Sequence, residues 1–187
     1  PMSSWTLLHT ADWHLGHTLH GHARAPEHRA FLDWLVRVIV EREVDALLVA
    51  GDVFDARTPP ASAQGLLFSF LAEIRARRPT LEVVLLAGNH DSPSRLSAPQ
   101  PLLGPLGVTV VGAAVPGASP SALVVPMRRG AELLGAIAAV PYLRPSDLAG
   151  VGDGLDPGRL GAATTALHAE VARAARGVAG AGRAVVG

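Results

Sequence analysis

The chain has 187 residues, 49% hydrophobic and 17% charged, a length and apolar content that exclude a disordered or fibrous protein and suit one domain, or one domain with part of a second. Sixteen basic side chains balance sixteen acidic ones, and this neutrality decides nothing about nucleic acid, because binders of it concentrate basic groups on one face. The absence of cysteine excludes disulfides, thiolate metal sites and a cysteine nucleophile, leaves any metal to nitrogen and oxygen donors, and suits a reducing cytoplasm.

The first predicted strand is WTLLHTADWH at 5–14, an apolar run that ends in polar residues. A helical stretch opens near Pro26, which suits a first helical position, and places Phe31, Leu35, Val38 and Ile39 on one stripe. DALLVAGDVFD at 45–55 is the second strand with its polar end, followed by a helix over about 60–78 that carries Leu67, Phe70, Leu71 and Ile74 on its apolar face, widened by Leu66 and Phe68. VVLLAGNHDSP at 83–93 is the third strand and runs on into a turn and short helix. Strand alternating with helix is the pattern of a parallel sheet with crossover helices, whose sites lie beyond the carboxyl ends of the strands. Further on, VTVVG, ALVVP and AIAAVPY read as short strands of a second, mixed sheet. DPGRLGAATTALHAEVARAARG reads as a helix started by Asp156-Pro157 and ended by Gly177, and GAGRAVVG as the beginning of another strand.

The polar strand ends carry the chemistry. Asp12 and His14 stand two apart, a spacing that turns both side chains to one side of an extended segment. Gly51 allows close backbone approach, and Asp52 is the first residue beyond its strand, with two oxygens able to bridge two cations. Gly88-Asn89-His90-Asp91 adds an amide ligand and an imidazole able to donate a proton. Each cluster alone is compatible with a turn or a helix cap. In series, each after an apolar strand, they describe a sulfur-free donor set for Mn²⁺, Fe²⁺ or Mg²⁺, with Zn²⁺ as a further fit. Two such ions roughly 3.5–4 Å apart form the recurring clamp for hydrolysis at phosphorus by an activated water.

The motifs Asp12-x-His14, Gly51-Asp52 and Gly88-Asn89-His90-Asp91 resemble those of the calcineurin-like metallophosphoesterases. The longer stretches LLHTADWHLG, EHRAFLDWL, VDALLVAGDVFD, VVLLAGNHDS and VPYLRPSDL are similar to those of the bacterial Mre-type DNA break-repair nucleases within that superfamily. The resemblance implies an α/β fold, an α/β/β/α sandwich of two mixed sheets flanked by helices, here with its C-terminal part missing. It implies a Mn²⁺-dependent nuclease acting on double-stranded DNA ends and hairpins, a homodimer, and an ABC-type ATPase with a long coiled coil as partner. Asp12 and His14 would hold the first metal, Asp52 would bridge both, and Asn89 would hold the second. His90 would act at the scissile phosphate without ligating, and Asp91 would orient a neighbour. Asp55 stands where some relatives have histidine, and its role is open. The family completes its site with three later histidines, two of them in Gly-His-x-His, and nothing in this chain matches them. Residues 1–187 are therefore expected to be the N-terminal portion of a nuclease domain, without its remainder or any DNA-capping domain, and weakly active or inactive alone.

The other candidates have plainer readings. His17, His20, His22 and His28 read as an exposed loop and helix start, His9 as a packed, hydrogen-bonded residue, and His168 as a helix-surface residue. Arg75, Arg77 and Arg78, like Arg128 and Arg129, read as solvated side chains, with phosphate contact as the alternative. Leu66, Phe68 and Phe70 fit core or a dimer contact. No secretory leader is visible, and the longest apolar stretch, at 133–143, is too short to span a bilayer. Two other functions share the same motifs: another phosphodiesterase or phosphatase of the superfamily, and a scaffold that binds DNA ends without cutting.

Overall fold

In the computed structural model, which describes residues 5–148, 157–181 and 183–187, the chain runs through β1 (Leu7–Thr10), a ribbon of β2 (Thr18–Leu19) and β3 (His22–Ala23), α1 (Ala25–Glu41), β4 (Ala46–Ala50), α2 (Ala61–Arg77) and β5 (Glu82–Leu86). Two short helices, α3 (Pro93–Ser97) and α4 (Gln100–Leu103), lead to β6 (Val108–Val111). Strands β1, β4, β5 and β6 pair in that order, every neighbour parallel. Central strands β4 and β5 are apolar at nearly every position because both their faces are covered. Leu47, Val49, Val83 and Leu85 face α1 and α2, while Ala46, Leu48, Val84 and Leu86 face the opposite way. Each fully buried leucine or valine contributes on the order of 2 kcal/mol of transfer free energy.

The helix faces largely follow the expected periodicity. α2 buries Leu67, Phe70, Leu71 and Ile74 as expected, together with Ala63 and Leu66, and leaves Phe68 exposed. α1 is turned by about one residue from its expected stripe: Leu32, Leu35, Val36 and Ile39 are buried, whereas Phe31 and Val38 are half-buried. Phe31 is drawn sideways, edge-on to Trp13 at 5.9 Å.

The second half supplies β7 (Val124–Arg129), β8 (Glu132–Ala138), α5 (Pro157–Ala179) and β9 (Ala184–Val186). β7 is antiparallel to β8 and β9 parallel to it, a mixed sheet. Val125, Met127 and Ile137 pack against the free face of the first sheet, and α5 covers the other side through Ala175 and Ala179 against Ala136. The layers are thus helices, sheet, sheet, helix. Two expectations need correction. VTVVG joins the first sheet as β6, not the second, and Gln100 covers its outer edge, donating to the Val108 carbonyl at 3.2 Å and accepting from Val110 N–H at 2.6 Å. α5 passes through Gly177 and ends at Ala179, where Gly180 takes the left-handed φ of 74° that stops a helix. Asp156, expected to start that helix, lies outside the described residues.

Several arginines read as solvated are engaged. Arg129 grips Asp45 with Nε at 3.0 Å and Nη2 at 2.8 Å, fastening β7 to the head of β4. Arg75 donates to the carbonyls of Pro79 and Leu81, and Arg78 to that of Val44. His9, expected to be packed, is exposed on the edge strand β1. Among the described residues no helix is long and apolar enough to cross a membrane.

Candidate metal centre

The loops after β1, β4 and β5 meet because their strands are neighbours in one parallel sheet. Trp13 holds the first loop. Its ring is buried, edge-on to Phe31 and to Phe70 at 5.4 Å, and its Nε1 donates to Thr10 Oγ1 at 3.1 Å. With Trp13 driven into the helix-side core, Asp12 and His14 on either side of it are left at the surface. The extended geometry expected for this pair is thereby corrected, since β1 has already ended and both residues are left-handed, Asp12 at φ 56° and His14 at φ 44°. Asp52 is left-handed too, at φ 48°. Such backbone costs roughly 1–2 kcal/mol per residue and persists where the surroundings over-determine it.

The surroundings here are a zipper between loops. Asp12 N–H donates to Gly51 O at 3.1 Å, His14 N–H to Asp52 O at 2.9 Å, Leu15 N–H to Val53 O at 3.0 Å, and Asp55 N–H back to Leu15 O at 3.2 Å. Asp91, fully buried, joins the third loop to the second: its carboxylate accepts from Gly88 N–H at 2.9 Å, Val53 N–H at 3.1 Å and Phe54 N–H at 3.0 Å. Gly51 and Gly88 let the two backbones touch. A Cβ on Gly51 would lie 3.1 Å from Gly88 Cα, and one on Gly88 would overlap Asp52.

These contacts bring the candidate residues near one another. His14 Nε2 lies 3.9 Å from Asp12 Oδ1 and 3.8 Å from Asp52 Oδ2. Asn89 lines an open cleft of about 330 Å³ together with Asp12 and Asp52. His14, Asp52 and His90 each offer a ligand atom within 4.8 Å of the others, among the described residues the only such group of three or more histidine or acidic side chains. The donor set is carboxylate, imidazole and amide, a fit to hard or borderline divalent cations.

His90 is fixed from two sides. Its N–H donates to Asp52 Oδ1 at 2.9 Å, and its Nδ1 lies 2.9 Å from the carbonyl of Asp55. A carbonyl only accepts, so Nδ1 carries the hydrogen. That bond, followed by the nearby carboxylates of Asp52, Asp55 and Asp91, outweighs desolvation and raises the imidazole above its ordinary value. The Asp55 side chain, whose role was open, accepts from or faces two histidines: His17 Nδ1 at 3.0 Å and His14 Nδ1 at 3.3 Å. The His14 contact has the distance but not the alignment of a hydrogen bond. A carboxylate behind the far nitrogen of a ligating imidazole is a recurring way to orient it.

The remaining histidines of this region lie apart from the cleft. His20 and His22 are exposed on the β2–β3 ribbon, whose two-residue turn has positive φ at His20 and Gly21. Burial, then Arg24, pushes His28 below its ordinary value. His168 bonds to the Thr164 carbonyl on the exposed side of α5. Two residues in or beside the site loops were not singled out from sequence, although both lie in VPYLRPSDL. Tyr142 lines the cleft with its N–H on Ala87 O at 2.9 Å, and Arg144 reaches the Asp91 carbonyl at 3.3 Å.

An α/β/β/α sandwich with oxygen and nitrogen donors gathered beyond the carboxyl ends of its parallel strands is an arrangement suited to a metal-dependent phosphoesterase. Residues 6–119 match the family model of the calcineurin-like phosphoesterases, and the chain belongs to that family. More particularly, it is 46% identical over 177 residues to the SbcD component of the nuclease SbcCD of Rhodobacter capsulatus, covering 90% of this chain and 44% of that protein. To the SbcCD component of the same name in Escherichia coli K12 it is 41% identical over 143 residues, 76% of this chain and 34% of the relative. For that of Bacillus subtilis the figures are 42% over 138 residues, 73% and 33%. The chain therefore spans less than half the length of these relatives.

Proposed function

We propose that this chain is the N-terminal portion of the nuclease domain of an SbcC–SbcD-type complex, hydrolysing DNA phosphodiester bonds as a double-strand exonuclease and as an endonuclease on hairpins and single strands. The observation that carries the reading is that Asp12, Asp52 and Asn89 line one cleft, with His14 Nε2 within 4 Å of both carboxylates, beside a His90 whose Nδ1 is already committed to Asp55. Asp12 and His14 would hold one cation and Asn89 the other, with Asp52 shared between them, and Mn²⁺ would be preferred over Mg²⁺, Fe²⁺ or Zn²⁺. When bound, such ions lower the pKa of a water toward ~7 and balance charge growing on the phosphate oxygens.

The chain's own part is positional. With Nδ1 donating to the Asp55 carbonyl, the nitrogen of His90 left for substrate is Nε2, which in the protonated ring donates to a phosphate oxygen or to the leaving oxygen. Asp91 keeps the His90 loop and the Asp52 loop in register, and Asp55 holds His14 and His17. The partners of the complete protein are DNA ends, an SbcC-type ABC ATPase and a second copy of the same polypeptide, in the cytoplasm. The three later histidines that the resemblance implies have no counterpart in this sequence, so this polypeptide by itself is expected to be weakly active or inactive.

The test compares Mn²⁺-dependent cleavage of linear duplex and hairpin DNA by the complete protein with turnover of methyl p-nitrophenyl phosphate. DNA cleavage at far higher kcat/KM supports the nuclease; efficient turnover of the small diester alone makes the protein another phosphodiesterase of the family. His90→Ala is expected to abolish cleavage and retain Mn²⁺, and loss of both would make His90 a ligand.

A further inference from the structure

We infer that Tyr142 is a stacking platform for the nucleobase next to the scissile phosphate, and so a residue that sets preference for nucleotide over simple phosphodiesters. The inference rests on the nuclease reading and deepens it. Tyr142 is one of the few large apolar side chains left half in water, at 50% exposure. Isolated exposed side chains such as Leu102 and Val115 are ordinary on a surface. Tyr142 differs by its place, because it lines the same cleft as Asp12, Asp52 and Asn89.

Its position is held by the rest of the site. The Tyr142 N–H donates to Ala87 O at 2.9 Å, one residue before Gly88, and Pro141 precedes it. The guanidinium of Arg144 stands 5.4 Å from the ring centroid and donates through Nη2 to the carbonyl of Asp91 at 3.3 Å. The Tyr142 backbone and the Arg144 side chain are thereby referenced to the loop that carries Asn89 and His90. An aromatic ring steadied by a cation on one side, with half its surface open at the mouth of a phosphodiester site, matches what a nucleobase requires. Every base has a π-face, and stacking is tolerant of sequence.

The experiment uses the complete Mn²⁺-loaded protein and two substrates with one leaving group, thymidine 5′-(p-nitrophenyl phosphate) and methyl p-nitrophenyl phosphate. Tyr142→Ala is expected to lower the ratio of their kcat/KM values about tenfold, the usual size of a lost base stack, and Tyr142→Phe to preserve it. An unchanged ratio in Tyr142→Ala overturns the platform. A second readout needs neither metal nor turnover: in EDTA, an oligonucleotide ending in 2-aminopurine is quenched on saturation with wild type and Tyr142→Phe but not with Tyr142→Ala. Absence of quenching in the wild type, or equal quenching in all three, overturns the inference. Failure to cut DNA is scored separately and removes the nuclease reading instead.

Discussion

Asp91 offers the sharpest test of how the centre is built. Its carboxylate is fully buried and faces only backbone donors, Gly88 N–H at 2.9 Å, Val53 N–H at 3.1 Å and Phe54 N–H at 3.0 Å. Asp91→Ala strands all three of these donors. Each unsatisfied buried donor costs about 1–3 kcal/mol, and partial relaxation or entry of a water brings the expected loss to about 4 kcal/mol, a large share of a typical 5–15 kcal/mol domain stability. Asp91→Asn isolates the mechanism because its shape is preserved. The amide oxygen can replace Oδ2 and keep the Gly88 and Val53 bonds, but the NH₂ then meets the Phe54 N–H donor to donor. The expected loss is about 2 kcal/mol, one charge-assisted bond. Urea unfolding followed by far-UV circular dichroism measures both values, and an unchanged m-value would confirm that the native state is what has been weakened. A loss below about 0.5 kcal/mol in both variants, the range of an ordinary surface substitution, would refute the clamp.

Three further perturbations address other joints. Gly88→Ala pushes a methyl group into Asp52 and is expected to weaken Mn²⁺ binding at least tenfold by calorimetry, the scale at which supporting contacts of metal ligands act; wild-type affinity would show that the loops can separate freely. Asp55→Ala, which removes the carboxylate that accepts from His17 and faces His14, is expected to lower Mn²⁺ affinity about 10- to 100-fold, and His17→Gln to have a smaller effect. Burial alone would raise the Asp45 carboxyl, but the Arg129 fork and the Thr6 N–H together hold it below its ordinary value. Its stabilisation is therefore complete above that value and disappears as pH falls through the lower folded value. Asp45→Asn should cost up to about 1 kcal/mol at neutral pH, since Arg129 is partly exposed, and progressively less as the wild-type carboxyl is protonated; a difference in urea midpoints that does not shrink as pH falls through the acid range would exclude this link.

The order of elements and the identity of the candidate ligands were legible in the chain because both are local. Apolar runs such as VVLLA and the stripes of α2 repeat at the period of the element they build, and a chemically distinctive cluster after each strand marks the site edge whatever the details of packing. The conformation of those clusters was not legible. Asp12, His14 and Asp52 adopt left-handed backbone that their own side chains do not specify. It is imposed by Trp13 packing between Phe31 and Phe70 and by the hydrogen bonds between loops. The role of Asp91 is equally non-local, since two of its three donors lie 37 and 38 residues away.

The strand VTVVG and the arginines show the same division. A five-residue apolar run is identical in pattern whether it extends one sheet or founds another, and its placement as β6 follows from the β5 edge and the Gln100 side chain. Arg129 reads as a surface charge until β7 is brought against β4 and Asp45 comes within its reach. The sequence alone determined most of the elements and the candidate ligands, because periodicity and ligand type are written residue by residue. Only the tertiary structure decided how those side chains are aimed, what holds them and that Tyr142 stands at their edge, because these depend on which distant segments share a sheet edge.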